Sequence, residues 1–189
     1  PNASTNTWFF GAGINYITDA EQQPEYAEKR PLEKFNDPIR FNVAFRGGVN
    51  TSDVIGLGQN FHYAFSAYAD KRINAKSTLQ AGGDLFFSPT IKDLIEQRAV
   101  ALPEENQDPN ADSKRGGLFI GHLLTFNKIS LLTQVGYYVY YPFDYEGRIY
   151  DRIGVQRYFG ENENIFAGIS VRANAASAES IEFSIGYRL

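Results

Sequence analysis

At 189 residues the chain is long enough for one domain with a sizeable core, and a net charge of −4 with no basic run excludes an electrostatic nucleic-acid footprint. The absence of cysteine excludes a disulfide framework and a thiolate metal site. No apolar run reaches the roughly 18 residues of a spanning helix, but strands that cross a membrane need only about 9–11 residues each.

The chain opens without a signal-peptide pattern, so an exported protein would be represented here by its mature form. Residues 7–17 are a first strand candidate, with Trp8, Phe10, Ala12, Ile14 and Tyr16 on one face. Residues 19–38 are polar, hold Pro24, Pro31 and Pro38, and read as a long loop. Residues 1–38 are therefore an N-terminal segment, a strand or plug followed by a loop, and residues 39–189 are the barrel described next. Strand-like alternation recurs over 40–49, 58–69, 77–87, 117–127, 129–141, 148–159, 164–174 and 179–189. Residues 91–100, inside the longest polar connection at 88–115, fit a short helix, and Asn127-Lys128 fits a tight hairpin turn. No helical period competes over a comparable length, so the chain is all-β, an up-and-down antiparallel meander.

The last strand shows the alternation most cleanly. Ile181, Phe183, Ile185, Tyr187 and Leu189 share one parity; Ser180, Glu182, Ser184, Gly186 and Arg188 share the other. In a soluble ligand-binding barrel the apolar parity would face inward, whereas in an outer-membrane barrel it faces lipid and the polar parity fills the lumen. The polar parity carries Arg46, Asp84, Gln134, Arg152, Gln156, Arg172 and Glu182, interleaved with Gly and Ser. Opposite charges among small residues suit a narrow, side-chain-filled lumen, and the reading leans to a transmembrane β-barrel. Aromatics at 137–141 and at Phe86-Phe87 resemble interfacial girdles. With the C-terminus on the periplasmic side, connections at 174–178, 142–147, 88–115 and 51–57 lie outside, and the shorter ones at 160–163, 127–128 and 70–76 lie in the periplasm. Nine strands conflict with the even number such barrels prefer. Strands two to nine make a barrel of eight; a hidden strand in 19–38 would make ten.

Four stretches carry a resemblance: AGGDLFFS (81–88), GHLLTFNKISLLTQVGYYVYYP (121–142), YDRIGVQRYF (150–159) and SIEFSIGYRL (180–189). Together they resemble the barrel proteins of Bacteroidetes-type bacteria labelled acyloxyacyl hydrolase, related to the outer-membrane lipid A 3-O-deacylases, over roughly residues 77–189. The resemblance implies an eight-stranded outer-membrane barrel with its active site on the lipid-facing wall. It also implies a triad of a His and a Ser two apart near the end of a late strand, with an acid downstream. In this chain Asn174 stands where that His is implied and Ala176 where the Ser is implied; Ser177, Glu179 and Glu182 are nearby. A serine hydroxyl without an adjoining base is a poor nucleophile.

The expected role is thus a small barrel without pore activity, a non-catalytic accessory or structural subunit of an envelope complex. Two alternatives remain: a lipid A deacylase with a degenerate triad, Ser177 and Glu182 being its candidates, and a soluble ligand-binding barrel. Arg46, Asp84, Gln134, Arg152, Arg172 and Glu182 are expected to form a polar lumen network. His62 shares that face and is expected to make a lumen hydrogen bond; His122 sits among Ile120 and Leu124 with no metal set around it. No metal or cofactor is expected. The expected partners are lipopolysaccharide and a larger membrane protein, not nucleic acid.

Overall fold

The computed structural model describes residues 36–51, 59–105, 108–144, 147–160, 162–174 and 177–189, without the side chains of residues 50, 51, 59, 105 and 177. The strand candidate at 7–17 and the loop at 19–38, up to residue 35, lie outside the described residues. Eight strands follow in order: β1 Arg40–Thr51, β2 Gln59–Arg72, β3 Ser77–Phe87, β4 Arg115–Phe126, β5 Ile129–Tyr140, β6 Ile149–Phe159, β7 Ile165–Asn174 and β8 Ser177–Arg188. Each pairs antiparallel with the next, and β1 pairs with β8, so the sheet closes into an up-and-down barrel. Closure at eight leaves no edge for the strands that a ten-stranded barrel would add.

The connections follow the sequence closely. Asn127 adopts φ 57°, the left-handed conformation that a two-residue hairpin requires, in the β4–β5 turn. Helix α1 (Pro89–Ala101) forms in the β3–β4 connection, with proline in its first turn, where a missing N–H costs nothing. Its buried side chains Ile91, Leu94 and Ile95 pack with Phe143 of the β5–β6 connection. The connection expected over 174–178 is shorter, because Asn174 already pairs with Ser177.

The barrel is built with its charges inside. Phe183, Ile185 and Tyr187 are 64%, 59% and 45% exposed, while Glu182 and Arg172 are 0% exposed. The apolar parity is outermost around the wall: Phe41, Val43 and Phe45 on β1, Leu118 and Ile120 on β4, Ile153 and Val155 on β6. This excludes the soluble ligand-binding barrel, which would turn these side chains inward. The girdle expectation is corrected in part. Tyr137 and Tyr140 are exposed, but Tyr138, Tyr141 and Phe86 are buried. Strand parity separates Tyr137 from Tyr138, and the register shift at Gly116/Gly117 reverses that order for Tyr140 and Tyr141.

Glycines on the inward parity make room for these rings. The Tyr150 ring lies across Gly117 and Gly136, where an added Cβ at Gly136 would stand 2.1 Å from Tyr150 Cζ. Gly136→Ala is therefore expected to lower stability by about 1–3 kcal/mol through overpacking. The denaturant midpoint of refolded protein in detergent measures this, and Tyr150→Leu should remove most of the penalty.

Candidate functional site: the charged lumen

All six residues expected in the lumen network are buried there and joined. Glu182 on β8 is the hub. It accepts hydrogen bonds from Arg152 Nε at 2.7 Å and Arg172 Nε at 2.9 Å. Arg152 Nη1 donates onward to Gln134 Oε1 at 2.6 Å and to Asp84 Oδ2 at 3.2 Å. Asp84 also accepts from the Tyr150 hydroxyl at 2.9 Å and from the Ser66 hydroxyl. Ser66 in turn accepts from Arg46 Nε at 3.0 Å, so Arg46 reaches the network through a serine, not through a carboxylate. Gln134 Nε2 donates to Gln80 Oε1 at 3.0 Å. Strand register explains the convergence: Gln134 pairs with Arg152 and Arg152 with Arg172, so adjoining strands present these side chains at one level.

A second cluster lies toward the long connections, and the sequence did not reveal it. Arg115 Nη2 donates to Glu179 Oε1 at 2.6 Å, and Arg172 Nη1 donates to Glu179 Oε2. Arg172 Nη1 also donates to the Tyr138 hydroxyl at 3.1 Å, and that hydroxyl donates to Asn174 Oδ1 at 3.1 Å. Asn174 Nδ2 donates back to Glu179. Simple alternation would place Glu179 on the lipid side with Ile181. The register shift between Arg172 and Ala173 leaves Glu179 as the extra residue of a β-bulge, and the bulge turns it inward. Arg115 escaped because strand β4 starts two residues before the sequence pattern suggests.

A third cluster closes the short-turn end. Arg188 Nη2 donates to Asp70 Oδ2 at 2.7 Å and to the Tyr158 hydroxyl at 2.6 Å, and Asn42 Nδ2 donates to Asp70 at 3.0 Å. Between this cluster and the hub lie Tyr68, Phe119, Phe166, Leu123 and Leu132, all buried, with Tyr68 and Phe119 rings 5.8 Å apart.

The candidate catalytic groups fall apart in space. Glu182 is sealed between two guanidinium groups, away from the wall. Asn174, at the position implied for the histidine, points into the lumen. Ser177 begins β8; His122 is half-exposed on β4, on the far side of the barrel from β8. His62 is buried in the lumen, with Nε2 3.7 Å from Glu182 Oε1, too long for the hydrogen bond expected of it. Among the described residues no group of three His, Asp or Glu side chains could hold a metal ion. Outside the spanning strands, the Lys114 backbone N–H, at 3.0 Å, holds the Asp112 carboxyl below the usual carboxylate range, and the Tyr140 hydroxyl adds to this.

The family model for the acyloxyacyl hydrolase C-terminal domain matches residues 39–189, from just before β1 to the end of the chain. The chain belongs to this family. For an acyloxyacyl hydrolase C-terminal domain the match covers the whole closed barrel and leaves residues 1–38 outside it. Among solved structures, the solution NMR structure of the de novo designed protein TMB2.3 is similar at 10% identity, covering 82% of this chain and 97% of that one, with a TM-score of 0.45. No curated protein matches. Family and barrel together fit a small outer-membrane protein.

Proposed function

We propose that this acyloxyacyl hydrolase-type barrel resides in the bacterial outer membrane as a non-catalytic accessory or structural subunit of an envelope complex. The observation that carries this reading is the state of the lumen carboxylates. Asp70, Asp84, Glu179 and Glu182 are each bound to at least one arginine. A carboxylate held by guanidinium groups and shut away from lipid is a structural anion, not a base for ester hydrolysis. The strands that adjoin β8, which Ser177 begins, are β1 and β7, and neither contains a histidine. The aromatic layer and the ion network fill the barrel's cross-section, which fits a barrel that conducts little. Lipopolysaccharide would surround the long-connection end, and a larger membrane protein would be the other partner.

Detergent-solubilised protein incubated with lipid A is expected to release no hydroxy fatty acid above a protein-free blank, read by mass spectrometry. In mild detergent a larger envelope protein should come with it. Release that Ser177→Ala abolishes would establish the esterase instead.

A further inference from the structure

Outside the lumen, the two ends of the barrel treat their charges differently. At the long-connection end the three exposed cations among the described residues are matched: Lys92 lies 4.0 Å from Glu96, Lys114 lies 3.7 Å from Asp112, and Arg148 lies 2.8 Å from Asp144. At the short-turn end four cations stand exposed: Lys71 near the end of β2, Lys76 in the β2–β3 turn, Lys128 in the β4–β5 turn and Arg157 near the end of β6. Among the described residues none of these four has a carboxylate within ion-pair distance. The acids described on this rim are Asp37 and Glu163, since Asp70 is turned inward onto Arg188.

The level at which these cations stand decides what they meet. Lys71 and Arg157 are on the outward parity of their strands, the parity of Phe65 and of Val155 and Phe159. Exposed Ile73, Phe126, Ile129 and Phe159 share the rim. Arg157 lays its guanidinium over the Phe159 ring, 5.3 Å from its centroid. An apolar stem and a cationic tip beside exposed rings suit the boundary between hydrocarbon and headgroups, with the tip reaching outward to the interface. A soluble acidic partner would have to approach Lys71 and Arg157 through the lipid-facing wall. Headgroup phosphates are already at that level, and each basic residue there is attracted to anionic lipid.

We infer that the short-turn rim is a binding surface for the headgroups of anionic glycerophospholipids in the leaflet that it faces. The inference rests on the membrane-spanning reading of the barrel. Lys71, Lys76, Lys128 and Arg157 supply the charge, and the surface holds this end of the barrel at a fixed depth in a phospholipid leaflet.

The test is native mass spectrometry of the full chain released from nanodiscs of equal parts dioleoyl-phosphatidylglycerol and dioleoyl-phosphatidylcholine. The wild type should retain phosphatidylglycerol in roughly fivefold excess or more, an excess that shrinks as ionic strength rises. The variant Lys71→Gln/Lys76→Gln/Lys128→Gln/Arg157→Gln should retain both lipids equally. Lys92→Gln/Lys114→Gln/Arg148→Gln at the other end should behave as wild type. Far-ultraviolet circular dichroism and the heat-dependent gel shift of each variant establish that it is folded. Equal retention by the folded wild type, or equal loss in the two variants, would overturn the inference. So would lipid A displacing phosphatidylglycerol from this rim. A chain that stays in solution without detergent would instead overturn the membrane reading beneath it.

Discussion

Glu182→Ala is expected to destabilise the barrel by about 3–5 kcal/mol, because it leaves Arg152 and Arg172 buried without their shared anion. Both guanidinium groups are 0% exposed, so water cannot take the carboxylate's place at the surface. Each arginine keeps one other acid: Asp84 for Arg152 and Glu179 for Arg172. That places the loss below complete unfolding. Glu182→Gln keeps the volume and one acceptor oxygen, and should lose less than alanine does. The contrasting control is Asp144→Ala. Its pair with Arg148 is 43% and 41% exposed, and such surface pairs are worth about 0–1 kcal/mol. Urea midpoints in one detergent measure all three variants. If Glu182→Ala and Asp144→Ala lose equally little, the lumen network does not hold the barrel together.

The fold was legible in the sequence because a strand's period is two and the wall of this barrel is buried on neither side by another layer. The outward positions are mostly apolar, while each lumen carboxylate is held by an arginine. Ile181 to Leu189 therefore shows both faces at once. The same parity identified Arg46, Asp84, Gln134, Arg152, Arg172 and Glu182 as one set, and the structure joins them. Parity could not find Glu179, since a bulge shifts the frame by one residue and nothing local marks it. Parity sets Tyr138, with Gln134 and Gly136, on the lumen face and Tyr137 on the other, but it misplaces Tyr140 and Tyr141. The register shift at Gly116/Gly117 exposes Tyr140 and buries Tyr141. The absent histidine beside Ser177 was visible from identity alone. The strand's alternation also sets Asn174 on the lumen parity with Arg172, at odds with the wall site that the resemblance implies, and the structure buries it there.

Phe183→Arg is the sharpest test of which solvent surrounds this wall. Phe183 lies near the middle of β8, paired across to Gly47 on β1 and Ile169 on β7, and its ring projects outward. On a protein surrounded by water, exchanging an exposed phenylalanine for arginine would change stability by about 0.5 kcal/mol or less. At the midplane of a bilayer the same change costs about 2–4 kcal/mol, and the cost falls to about 0–1 kcal/mol near the interfaces. The two environments therefore predict different depth profiles. Ile129→Arg, at the short-turn rim among the cations already there, should be nearly neutral. Phe183→Arg should show the full midplane penalty when folding is measured in lipid vesicles. An equal, small effect at both positions would mean that no hydrocarbon meets Phe183. The inward burial of Arg152, Arg172 and Glu182 would then need another cause, because a water-facing wall gives a chain no reason to hide its charges and show its oil.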